Sequence, residues 1–125
     1  MASDLDRLAA EKYVLLTTFR KDGRAVPTAV WAARNGSDLV VFTAPDAGKV
    51  KRIRRDGAVR VAPCDVRGNP KGDAVAGQAR LLDEAGARQA ISAIGKKYGL
   101  LGRLTILGGK IRRRGSLPGA IAVTF

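Results

Sequence analysis

The segment Phe42-Thr43-Ala44-Pro45-Asp46-Ala47-Gly48-Lys49 is where residue types and spacing come nearest to a chemical site. The apolar run Leu39 to Ala44 ends on a threonine side and leads into a helix start that Asp46 can cap, with a lysine in its first turn. The first amides of a helix have no partner within it, and its dipole favours negative charge there. A threonine hydroxyl and a lysine ammonium add charge-assisted contacts, so the chemistry that fits is capture of an anion, a phosphate above all. The same helix carries Lys49, Lys51, Arg52, Arg54 and Arg55, a row that equally makes an ordinary solvated face.

Other chemistries fail on residue type. The 125 residues include no histidine, which excludes a Ser-His-Asp triad, a Cys-His pair, histidine-ligated zinc and the commonest general base at neutral pH. Cys64 is the single cysteine; it can form no intrachain disulfide and reads as a small packing residue in a strand. Gly48-Lys49 is not a phosphate loop, because Thr43 stands where the leading glycine belongs and Val50 where a magnesium-binding Ser or Thr belongs. The glycines from Gly95 to Gly109 never fall into G-x-G-x-x-G, and no acidic pair is spaced for a metal or for glycoside chemistry. No metal is expected.

The elements that must hold such a site follow from turn signals and periodicity. Tyr13 to Arg20 reads as a strand, Asp22-Gly23 as a turn, Ala25 to Ala33 as a second strand, Asn35-Gly36 as a second turn and Leu39 to Ala44 as a third strand. These three are expected to pair as a meander, with Pro27 at an edge or a bulge because it has no amide hydrogen. A helix from Asp46 to Asp56 buries Val50 and Ile53 and is closed by Gly57. Ala58 to Val66 and Asp73 to Asp83 are strands, the latter bent or bulged at Gly77. A helix from Glu84 to Tyr98 has Ala87, Ile91 and Ile94 on its apolar face, and Leu100 to Ile111 continues with helical spacing until Gly108-Gly109 breaks it. Ala120 to Phe125 is the last strand. The fold class is therefore α+β, mainly β: an antiparallel closed or split β-barrel with covering helices, forming one domain over residues 1–125.

Composition bounds the partners. With 46% hydrophobic and 27% charged residues the chain is a folded protein, not a disordered one. Its apolar runs stop well short of the roughly 18 to 20 residues that span a bilayer, and the charges in Met1 to Lys12 interrupt any secretory signal, so a cytoplasmic location is expected. Lysine plus arginine total 23 against 11 acids, a net charge of +12, which points to an anionic partner. Three Phe, two Tyr and one Trp give few stacking groups, so a specific nucleic-acid module is the weakest reading.

The segments YVLLTTFRKDGRAVPTAVWAA, KVKRIRRDGAVRVAPCDVRG and KYGLLGRL, in that order, resemble the flavin and deazaflavin split-barrel oxidoreductases related to pyridoxamine 5′-phosphate oxidase. The closest likeness is to the actinobacterial branch dependent on coenzyme F420, an 8-hydroxy-5-deazaflavin. It covers nearly the whole chain and rests on order and spacing, since no one segment is diagnostic. The resemblance implies an antiparallel split β-barrel that transfers a hydride between reduced F420 and a small unsaturated or quinone-like acceptor. In the oxidase relatives a strand-borne aromatic-Thr pair and an Arg-Lys pair at the next helix bind the cofactor phosphate, and Phe42-Thr43 and Gly48-Lys49 look like their equivalents. Thr43 and Lys49 carry over; Gly48 replaces the Arg, and Pro27 to Ala32 departs from the basic-ended strand motif of the FMN oxidases, so F420 is implied over FMN.

By the same resemblance Pro27, Thr28, Ala29, Val30 and Trp31 line the ring-binding edge through backbone groups, with Trp31 either beside the ring or packed in a core or subunit contact. The likeness further implies a homodimer with sites at the subunit junction, where Leu100, Leu101 and Leu104 serve that surface or the core. The cofactor supplies the hydride, and water, Tyr13 or Tyr98 could supply a proton; no catalytic side chain is singled out. The alternatives are an FMN-dependent oxidase or reductase and a non-catalytic cofactor carrier.

Overall fold

The computed structural model describes residues 3–43, 48–112 and 119–125, with 99–112, Thr43 and Gly119 described by backbone alone. Helix α1 (Asp4–Ala9) starts where the Ser3 side chain accepts a hydrogen bond from the Asp6 amide at 3.1 Å, and Asp4 and Asp6 sit in its first turn, where the dipole favours acids. It buries Leu8. This helix was not anticipated, although Ser3, the two acids and the Leu5 and Leu8 spacing signal it.

Strand β1 (Tyr13–Phe19) alternates, burying Val14, Leu16 and Thr18. The remaining elements are β2 (Ala25–Val30), β3 (Ala33–Asn35), β4 (Asp38–Thr43), α2 (Gly48–Arg55), β5 (Ala58–Cys64), β6 (Val75–Leu81), α3 (Glu84–Arg112) and β7 (Gly119–Thr124). The seven strands form one sheet in the order β2-β1-β5-β6-β7-β4-β3, every pair antiparallel. The sheet is not closed: β2 and β3 are its two ends, as in a split barrel.

Two cores explain the apolar runs. Leu39 and Val41 of β4, and Ile121 and Val123 of β7, pack with Leu8, Val14, Leu16, Ile53 and Val61 on one face of the sheet. The alternate residues Val40, Ala120 and Ala122 face Ala87, Ala90 and Ile94 of α3. Strands covered on both faces read as continuous apolar runs, and the small alanines of β7 let the helix approach.

Several expectations are corrected. The meander does not form: β1 and β2 make a hairpin, but β4 pairs with β3 and β7, and four strands lie between β2 and β4 in the sheet order. The chain leaves β2 at Val30 and starts the new strand β3 at Ala33, so the single strand expected over 25–33 is two. Both turn dipeptides do turn, Gly23 and Gly36 having φ of 90° and 63°. Helix α3 runs unbroken through Gly108-Gly109, because glycine weakens a helix by only about 1 kcal/mol. Gly77 lies within the β5–β6 ladder opposite Val59; a Cβ there would meet Val123 Cγ1 at 2.8 Å, so the glycine serves close packing and makes no bend. Gly57 likewise has no left-handed conformation, and its bare Cα fits against the Ala79 carbonyl of β6. The strands expected over 58–66, 73–83 and 120–125 end or begin within two residues of those places.

Candidate functional site: a basic cleft between a hairpin and α2

The site starts with the hairpin that joins β1 to β2. Arg20 N–H donates to Arg24 O and Gly23 N–H to Arg20 O, both at 2.8 Å, which fixes a tight loop dense in cations. Helix α2 turns Val50 and Ile53 into the core, and its other positions are cations apart from Gly48. Two of them tie the helix to β1. Arg52 Nε donates to the buried Thr18 Oγ1 at 2.7 Å, and Arg55 Nη2 donates to Phe19 O at 2.7 Å. Thr18 is the one buried polar residue of the described chain, and Arg52 satisfies it.

Between the hairpin and α2 lies a cleft of about 520 Å³. Among the described residues six cations line it, Arg20, Lys21, Arg24, Lys51, Arg52 and Arg55, against the single carboxylate of Asp22. Asp22 is already spent, because Arg24 Nε donates to it at 2.8 Å. A concave surface of one sign focuses its field, so the cleft attracts anions. Gly48 completes the lining, and a Cβ there would lie 2.9 Å from Arg52 Nη1. The glycine thus leaves room for the guanidinium that spans helix and strand. Lys49 follows it, half-buried, its ammonium held below the ordinary lysine range first by burial and then by Arg52. Among the described residues Lys49 has no charged partner, and an anion beside it would favour its charged form.

The other expected site residues fall in three places. Pro27, Thr28, Ala29 and Val30 pair with Thr17, Leu16, Leu15 and Val14 of β1 and with no other strand, so β2 is an edge, as Pro27 implied. Trp31 lies just beyond β2 and stacks on Tyr98 of α3, centroids 4.5 Å apart and planes 11° from parallel. It packs against the second core. Phe42 and Thr43 end β4 opposite Ala120 and Gly119; Phe42 packs on the same core, and the Thr43 side chain, together with Asp46, lies outside the described residues. The structure therefore joins Gly48, Lys51, Arg52 and Arg55 of α2 to the β1–β2 hairpin, while Lys49 follows Gly48 in the chain without lining the cleft. Arg20, Lys21 and Arg24 were missed, and only the pairing of a cation-rich turn with a cation-rich helix could have shown them.

Tyr98, one of the candidate proton sources, is engaged elsewhere. Ala32 N–H donates to its Oη at 3.1 Å, and the hydroxyl donates to Lys12 O at 2.7 Å. Burial pushes its pKa above the ordinary tyrosine value. Beside it Lys97 Nζ donates to Ala32 O at 2.5 Å and to Glu11 O, and burial lowers its pKa to about 8. These two side chains fasten α3 to the α1–β1 link and to the segment after β2.

A family model described as pyridoxamine 5′-phosphate oxidase matches residues 5–115. The chain belongs to this family. Among solved structures, it is similar to a conserved protein, Rv2991, from Mycobacterium tuberculosis, at 17% identity and a TM-score of 0.69, covering 98% of this chain and 79% of that one. An F420 reductase matches at 20% identity and a TM-score of 0.55, with 99% of this chain and 94% of that one covered. HutZ, the heme storage protein of Vibrio cholerae, matches at 13% identity and a TM-score of 0.66, covering 94% and 83%. Comparison with curated proteins finds no match. These likenesses establish the fold of the oxidase family for this chain, an antiparallel split barrel. No helix among its described residues is long and apolar enough to cross a membrane.

Proposed function

We propose that this oxidase-family chain binds F420 and transfers a hydride from its reduced form to a small unsaturated or quinone-like acceptor, acting as a homodimer. The observation that carries this reading is the cleft of six cations and one neutralised carboxylate beside Gly48 and Lys49. The coenzyme has a phosphodiester and a carboxylate tail, and a donor set of guanidinium and ammonium groups with no free acid among the described residues fits both. When bound, reduced F420 supplies the hydride.

The chain's own residues bind and orient. Lys49 is assigned to the phosphodiester, the cleft cations to the tail, and the outer edge of β2 from Pro27 to Val30 to the ring. Thr43, at the end of β4, is assigned to the phosphate with Lys49. The stack of Trp31 on Tyr98 holds the segment that leaves this edge, so Trp31 acts by fixing the edge. An F420 reductase among the similar folds supports the choice of cofactor. The heme-storage neighbour suggests a second ligand class, but this chain has no histidine to ligate iron, and its one cysteine is buried with its thiol pushed above the usual range by that burial.

The test is turnover: reduced F420 is mixed with the protein and a quinone, and its oxidation is followed by absorbance. Protein-dependent oxidation that saturates with quinone is expected. Tight binding without turnover across a panel of quinones and enones would replace the enzyme by a cofactor carrier.

A further inference from the structure

Gln89, Ser92, Ala93 and Lys96 recur along α3 at i, i+3, i+4 and i+7 and share one face of the helix. A polar stripe of this kind usually faces open solvent. Here it forms a wall of a cavity of about 590 Å³ whose other sides are the end of α1 and β3 with its turn. The space exists because Ala9, Ala33, Gly36 and Ala93 are small. Its volume is in the range that holds a small organic ligand.

Among the described residues the lining contains Arg34, Lys96 and Lys97 and no carboxylate. Arg34 is engaged, by Asp6 and by Gly36 O at 2.9 Å, and Lys97 by Glu11 O and Ala32 O. Asn35 Nδ2 reaches Gln89 Oε1 only at 3.4 Å, near the limit of a hydrogen bond. Lys96 is exposed, and neither it nor Ser92 has a side-chain partner among the described residues. A lysine, a hydroxyl and an amide thus converge on an open, acid-free cavity.

We propose that this α1–β3–α3 cleft is a second ligand site, taking a small molecule through an oxyanion, a carboxylate or a phosphate, held by Lys96, Ser92 and Gln89. No residue lines both this cleft and the one at α2, so the inference goes beyond the cofactor reading and does not depend on it. An anion here also lies beside Lys97, whose burial disfavours its charge while Glu11 favours it. Lys97 donates to the carbonyl of Ala32, next to Trp31, so occupancy is reported at the chain's single tryptophan.

The full chain is titrated with inorganic phosphate and, separately, with succinate at constant ionic strength, following Trp31 fluorescence and the backbone amide signals of Ser92 and Lys96. Saturable binding is expected, weakened about tenfold or more by Lys96→Glu and less than about twofold by Arg54→Glu, an exposed α2 cation that lines neither cleft. Saturation by phosphate alone assigns phosphate esters, and by succinate alone carboxylates; either result supports the site. A response that never saturates, or equal loss in both variants, overturns it, because diffuse attraction to a chain of net charge +12 behaves that way. Should Lys96→Glu fail to fold, Ser92→Ala gives the same decision: an about threefold or greater loss supports the site and an unchanged affinity overturns it.

Discussion

The cations of α2 and Lys97 of α3 are surrounded in opposite ways. Lys97 is closed in by two backbone carbonyls, and beside it the Tyr98 hydroxyl is spent on Lys12 O and Ala32 N–H. On α2 and the facing hairpin, six cations share one carboxylate that is itself paired. A buried polar group with its partners inside the protein holds structure together. An excess of charge with no acidic partner among the described residues attracts an anion from outside. Substitutions of Lys97 and Tyr98 should therefore be read in stability, and those of the α2 cleft in binding.

The largest expected effect is on the α3 side. Tyr98→Ala removes a stacked, half-buried ring and strands Ala32 N–H, costing about 2 to 4 kcal/mol of stability in urea denaturation, whereas Tyr98→Phe keeps the stack and costs about 1 kcal/mol. A Tyr98→Ala protein as stable as the parent would end the structural reading of this cluster. On the α2 side, Lys49→Ala should leave the urea midpoint almost unchanged. It should weaken F420 binding about tenfold to a hundredfold, about 1.5 to 3 kcal/mol, in a fluorescence titration. Arg88→Ala, on an exposed helix face paired with Glu84, is the charge-matched control and should change the affinity less than about twofold.

A smaller effect is expected with pH. Lys97 has a folded pKa of about 8, below the roughly 10.4 of an unfolded lysine, so between those values the unfolded chain binds the extra proton. Stability should then rise as pH increases from 8 to 9.5, and thermal melts of Lys97→Met should lack that rise. A parallel pH dependence in both proteins would show that the Lys97 charge costs nothing in the fold. The smallest effect is at the hairpin: Arg24→Ala breaks an exposed pair with Asp22 and should shift stability by less than about 0.5 kcal/mol.

The same contrast explains what could be read from the sequence. Local signals were reliable where the cause is local: the Asp22-Gly23 and Asn35-Gly36 turns, the Val50 and Ile53 stripe, and the edge position of Pro27 all stand. The family resemblance also stands, with the match over residues 5–115. The meander failed because β5, β6 and β7, remote in sequence, insert between β2 and β4, and no dipeptide encodes that pairing. At the site, Gly48 looked like a lost arginine. The Arg52 guanidinium lies in the adjoining space, which becomes visible only once α2 is docked on Thr18. The hairpin cations were passed over because each alone is an ordinary turn residue, and only the approach of α2 makes them a cleft.

The central claim, that the α2 cleft is built for the anionic part of a deazaflavin, is tested most directly by parallel titrations of the purified chain with F420 and with FMN, read by cofactor fluorescence. Saturable F420 binding, tighter than FMN and weakened by added salt, is the predicted result. Tight retention of FMN with no detectable binding of F420 would contradict it and make the protein an FMN enzyme of the same fold.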